Sequence, residues 1–171
     1  MIIIYIMDGV IYNPTTLVNN HALNKQKSGI PYMQQARFIC DRHRQWLLED
    51  VNRAEVHWRS WIDLALADNS GISSKARLLR AGCAWDLSGE LLHKNMPCEK
   101  TALERFTLSC LQLLRLLLVE EHTDVAGEIA ELSNAKLSAL AGVPQRHDSA
   151  VFCLKAIQLQ QANARASASL H

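Results

Sequence analysis

The 171-residue sequence carries no surplus of either charge: 18 Lys+Arg against 17 Asp+Glu leave a formal net charge of +1. Without a global basic field, sequence-blind binding to nucleic acid or membrane is not the default reading. A disulfide framework is missing as well. The cysteines Cys40, Cys83, Cys98, Cys110 and Cys153 are odd in number and contain no C-x-x-C pair, which reads as reduced thiols in a cytoplasm. No apolar run approaches the roughly 20 residues of a membrane span. Met1–Met7 is apolar but brief, has no basic start and is ended by Asp8, so no secretory leader is expected. The common catalytic signatures are absent too: G-x-S-x-G, H-E-x-x-H, G-x-G-x-x-G and phosphate-cradling glycine loops do not occur. What is present is 49 % hydrophobic against 20 % charged residues. That balance excludes a disordered chain and permits the core of one domain.

Residues 1–32 differ from the rest. They hold Asn19, Asn20, Asn24, Gly9, Gly29, Pro14 and Pro31 and few charges, and from Met33 the pattern turns helical. Two readings stand. Either translation begins at Met33 and 1–32 is a poorly structured upstream extension, or Ile2–Ile6 is a short strand on the helices. Intact mass of the natively expressed protein decides between them.

Between 34 and 67 neither Gly nor Pro occurs, and Leu47, Val51, Ala54, Trp58, Trp61, Ile62 and Ala65 recur in steps of three and four. The unbroken phase favours one long or kinked helix. The alternative is two helices meeting near Asn52, whose spacing to Glu55 has the form of a capping box. Asp68-Asn69-Ser70-Gly71 stops this stretch. Ser73 or Ser74 caps a helix running to about Leu92, and another spans about 99–121 with Thr101 and Glu104 as a possible capping box. In its Phe106–Val119 portion only Thr107, Ser109, Gln112 and Arg115 are polar, so this helix belongs in the middle of a bundle. Helices over about 123–140 and 148–163 follow, then a flexible tail over 164–171. The expected class is all-α, with five or six helices in one domain over 33–163.

Self-comparison suggests stacked antiparallel hairpins, α-solenoid-like in arrangement. Ala81-Gly82, Asp86-Leu87-Ser88 and Leu92 recur 45 residues on as Ala126-Gly127, Glu131-Leu132-Ser133 and Leu137. Phe106, Leu108, Gln112 and Leu113 recur 46 residues on as Phe152, Leu154, Gln158 and Leu159, in register with the first set apart from one inserted residue. Such units share a core by stacking. Within 73–163, Gly82, Trp85, Gly89, Ala102 and Phe106 resemble the small–aromatic–small and Ala-x-x-x-aromatic pattern of tetratricopeptide-type repeats. The chain departs from that family in its longer turn and in a period of 45 rather than about 34. The resemblance implies protein or peptide binding in a groove formed by inner helices, without catalysis.

Candidate chemistry is sparse. Cys40 and His43 form a C-x-x-H pair, but His57, Cys83, His93 and Cys98 are not at ligand spacing, so neither metal nor cofactor is expected. Glu120-Glu121-His122-Thr123-Asp124 reads as a solvated turn. Lys75, Arg77 and Arg80 crowd the start of a helix, where the dipole disfavours cations. A partner's carboxylate or phosphate there would relieve the repulsion, as would Asp63 or Asp68 of the preceding helix. Trp58, Arg59 and Trp61 have the chemistry of an interface hot spot, although both tryptophans also lie on the apolar stripe. The expectation is a cytoplasmic adaptor, chaperone-like binder or regulator with a protein partner. A small helix-turn-helix transcription regulator binding DNA is the alternative, and an enzyme with a thiol or metal site the second one.

Overall fold

A computed structural model of the chain describes residues 5–7, 10–12, 37–67, 71–92, 99–141 and 147–168. The chain divides into two units, Met1–Gln35 and Ala36–His171. In the first, strands β1 (Tyr5–Met7) and β2 (Val10–Tyr12) pair antiparallel, with Tyr5 opposite Tyr12, Ile6 opposite Ile11 and Met7 opposite Val10. The strand expected over Ile2–Ile6 therefore has a counterpart shifted toward Met7, and a second strand joins it. The remaining residues of the 1–32 segment lie outside the described ones.

Among its described residues the second unit is all-helical, with six helices: α1 (Asp41–Leu48), α2 (Val51–Leu66), α3 (Ser74–Leu91), α4 (Glu99–Val119), α5 (Thr123–Ala141) and α6 (His147–Ala168). Of the two readings of 34–67, the alternative holds: there are two helices, and the break falls just before Asn52 rather than the favoured single helix running through. Asp50 has extended backbone, and its carboxylate accepts from the Asn52 and Arg53 amides at 2.9 and 3.3 Å. An aspartate side chain satisfying two orphan amides starts a new helix without disturbing the apolar phase. α3 is capped by Ser73, whose hydroxyl accepts from the Ala76 amide. Thr101 lies inside the first turn of α4 rather than at its cap. α6 continues through the alanine-rich stretch expected to fray and ends at Ala168, as the high helix propensity of alanine allows.

Helix α4 is the centre, packing against α2, α3, α5 and α6. Phe106, Cys110 and Leu113 are fully buried in one cluster with Trp85 of α3, Ile129 and Leu137 of α5, and Ile157 of α6. Of its polar side chains Thr107, Ser109 and Gln112 are buried, and each has a partner. Thr107 donates to the Leu103 carbonyl, Ser109 to that of Arg105, and the Gln112 amide to that of Ala65 at 2.6 Å. Burial of such groups is tolerable only when they are hydrogen-bonded. Among the described residues, no helix is long and apolar enough to cross a membrane.

The turn between α4 and α5 follows from backbone bonding. The His122 amide donates to the Leu117 carbonyl at 2.8 Å and that of Glu121 to Leu118 at 3.2 Å, with Glu121 at φ 60°. This left-handed terminus satisfies the last carbonyls of α4. The junction expected as a solvated turn is one, with Glu121, His122 and Asp124 exposed.

Candidate functional site

The six residues singled out from sequence fall into two environments. Trp58 and Trp61 are buried in α2, while Arg59 is exposed and pairs with Glu55 at 3.7 Å. The Trp58 indole N–H donates to the Ser109 hydroxyl at 2.8 Å, and the Arg105 guanidinium lies over the ring at 5.5 Å while reaching Glu55. A similar arrangement recurs one helix further on. Trp85 of α3 donates to Ser133 of α5 at 2.9 Å, with the Lys136 ammonium 5.7 Å from its ring centre. Both serines pass their own proton to the carbonyl four residues back. Each indole thus has a hydrogen-bond acceptor at its edge and a cation on its face, which suits a large ring to the interior.

The basic start of α3 makes contacts within the chain. Lys75 is exposed, and Arg77 and Arg80 are half-buried. Arg77 Nε donates to the Ala65 carbonyl at 3.3 Å, near the end of α2, where the carbonyl end of a helix favours cations. The Ser74 hydroxyl donates to the Glu120 carboxylate, so a side chain of the α4–α5 turn supplies negative charge at the α3 terminus. Asp63, considered as the compensating group, is exposed, and Asp68 lies outside the described residues.

Burial disfavours the reactive thiolate at Cys83, Cys110 and Cys153. Cys40, Cys83, Cys110 and Cys153 are free. Burial pushes the thiols of Cys83 and Cys110 up to about 12 and that of Cys153 upward. A nucleophilic cysteine needs the opposite shift. Among the described residues no three His, Cys, Asp or Glu side chains gather as a metal site. Cys40 is the half-buried residue before α1, and His43 turns toward aromatic rings instead.

Two features were not foreseen. At the seam of α1 and α2, His43, Trp46, His57 and Trp61 form a box, with His43–His57 centroids 6.2 Å apart and Trp46–His57 5.5 Å. Trp46 is 43 % exposed, and Arg53 covers its ring at 4.4 Å while donating to its carbonyl. The sequence signal was His43-x-x-Trp46 and His57-x-x-x-Trp61, each one helical turn apart. On α6, Phe152 and Leu159 are 73 % and 63 % exposed. Their spacing of seven stacks them on one face, between exposed Asp148 and Lys155.

The residues behind the tetratricopeptide resemblance line the interior: Gly82, Trp85 and Gly89 of α3 and Ala102 and Phe106 of α4 are buried, with Trp85 and Phe106 stacked at 6.5 Å. No family model, curated protein or solved structure matches the chain.

Proposed function

We propose that the chain is a non-catalytic protein-interaction module, an adaptor or chaperone-like binder working in a reducing cytoplasm. The observation that carries this reading is the paired exposure of Phe152 and Leu159 on one face of α6. Large apolar side chains held in water on one helix face mark interaction surfaces, and a partner groove reads them as anchors at i and i+7. Free cysteines and their buried, protonated thiols fit a binder in a reducing compartment better than a thiol enzyme. The resemblance to tetratricopeptide-type repeats points the same way, but the residues that carry it are inside. A partner therefore meets the α6 face rather than those side chains.

The test is a tagged pull-down from host lysate, with and without nuclease, using the wild-type chain and the Phe152→Asp/Leu159→Asp variant. The expected result is a stoichiometric protein that survives nuclease and falls at least tenfold with the variant, whose melting temperature stays unchanged. Loss of every partner on nuclease treatment moves the transcription-regulator reading to first place. Retention of the partner by the variant removes the α6 face from the function.

A further inference from the structure

The most specific long-range contact in the helical unit is made by a segment that is not helical. Residues 37–40 precede α1 and lie across α3, which is some 45 residues away in sequence. The amides of Phe38 and Ile39 both donate to Asp86 Oδ2, each at 3.1 Å. The Phe38 carbonyl accepts from the Cys83 thiol at 3.7 Å. The Phe38 ring occupies the space a Cβ on Gly82 would take, its nearest carbon 2.1 Å from that position. It meets the Trp85 ring edge-on at 6.2 Å, and Ile39 is fully buried beside it.

Each component has a recognition role. A carboxylate that takes two successive backbone amides on one oxygen reads a bent backbone, whose adjacent N–H groups converge, whatever its side chains. A notch without a Cβ admits a flat ring, and Trp85 supplies an aromatic wall. Asp86 is 6 % exposed, and keeping a carboxylate that deep costs stability unless the amides are in place. The occupant is a few residues of irregular backbone directly after the boundary between the chain's two units. Such a segment opens at less cost than a packed helix.

We propose that the Gly82–Cys83–Asp86 face of α3 is a recognition slot for a bent aromatic–aliphatic segment, closed in this chain by its own Phe38-Ile39, and that a partner segment of the same pattern enters by displacing it. The chain's own residues define the ligand chemistry: a flat ring, then a branched aliphatic side chain, with both amides free to donate. This goes beyond the proposed function, because the slot lies on α3 and the Phe152–Leu159 face on α6, so either test can fail alone.

The experiment uses the full chain and a blocked, fluorescently labelled peptide with the sequence of residues 35–42 carrying Cys40→Ser. Peptide binding is read by anisotropy and the state of the slot by site-resolved iodoacetamide alkylation of Cys83. In the wild-type chain Cys83 is expected to alkylate slowly and the peptide to bind weakly. In Phe38→Ala, Cys83 alkylates at least tenfold faster and the peptide binds at least tenfold tighter, slowing the alkylation again. Adding Asp86→Ala, or Gly82→Ala to refill the notch, to the Phe38→Ala chain is expected to abolish that binding. Circular dichroism of each variant verifies the helical fold. If Phe38→Ala loses the fold, Gly82→Ala alone expels the ring and takes its place in the alkylation assay. Unchanged Cys83 alkylation in the folded variants, or peptide binding that ignores Asp86→Ala, overturns the proposal.

Discussion

Ala81-Gly82 and Ala126-Gly127 occupy equivalent positions in the sequence, 45 residues apart, each followed by an acidic residue, a leucine and a serine. Their surroundings differ completely. A Cβ on Gly82 would run into the Phe38 ring, whereas one on Gly127 meets nothing within 4 Å. The acidic partners diverge as well: Asp86 is buried beneath the 37–40 segment, while Glu131 is exposed. The aromatic pair matched at 46 residues follows suit, with Phe106 fully buried and Phe152 in solvent. The first region has a segment and several helices laid over it. The second is covered on one side. Equal local patterns thus acquire different roles according to what the rest of the chain places on them.

The comparison is sharpened most by the phenylalanines. Phe106→Ala leaves a cavity at the centre of the core and is expected to lower unfolding free energy by about 3–5 kcal/mol. Phe152→Ala, at a solvent-exposed site, should stay within about 0.5 kcal/mol. Urea denaturation of both variants measures the gap, and equal losses would erase the distinction between the regions.

Next in size are the acidic residues. Asp86→Ala orphans the Phe38 and Ile39 amides and should cost about 1–3 kcal/mol, while Glu131→Ala should leave the midpoint nearly unchanged. Asp86→Asn keeps an acceptor oxygen and removes the buried charge. Burial holds the Asp86 carboxyl above its ordinary 3.8, opposed by the amides of Ile39 and Phe38. The folded state therefore binds this proton more tightly than the unfolded state. The resulting stability is full below 3.8 and is lost as pH rises through the folded value. Asp86→Asn is accordingly expected to match or exceed the wild-type chain at pH 7 and to lose that advantage on acidification. Denaturation midpoints between pH 3 and pH 7 check the sign.

Glycine substitutions give the smallest effects and the clearest reversal. Gly127→Ala gains helix propensity without a steric conflict and should stabilise by about 0.5–1 kcal/mol. Gly82→Ala gains the same propensity but displaces the Phe38 ring, and crowding of that kind costs about 1–3 kcal/mol, so its net effect should be destabilising. Thermal melts of the two variants should move in opposite directions. At the turn joining the regions, Glu121→Gly relieves a left-handed residue and should raise stability by about 1 kcal/mol. A melt that falls would show that the Glu121 side chain contributes more than its backbone costs.

Much of the architecture was legible along the chain because helices announce themselves locally. The apolar stripe over 47–65 placed Trp58 and Trp61 toward the core, and the nearly unbroken apolar Phe106–Val119 stretch identified the central helix. The stop at Asp68–Gly71 marked a helix end. The break at Asp50 was left open between two readings because two helices can share one apolar phase, and only the cap geometry separates them. The β1–β2 pair was half visible: Ile-Tyr-Ile-Met and Val-Ile-Tyr flank Asp8-Gly9, a dipeptide that hairpins favour.

The candidate sites were far less legible. Charge crowding at Lys75, Arg77 and Arg80 pointed outward to an anion, whereas the contacts seen at that helix start run to Glu120, 46 residues downstream of Ser74, and to the Ala65 carbonyl, 12 residues upstream of Arg77. Nothing near Phe38 in sequence indicates a slot, because its walls belong to α3. The sequence by itself determined the all-helical class, the central helix and the neutral surface balance, since periodicity and composition belong to a segment alone. Only the tertiary structure decided that Gly82 is a notch and Gly127 open, that Asp86 holds backbone amides, and that Phe152 stays in water. Each of those facts depends on which distant segment covers a face, and burial is a property of pairs of segments rather than of one.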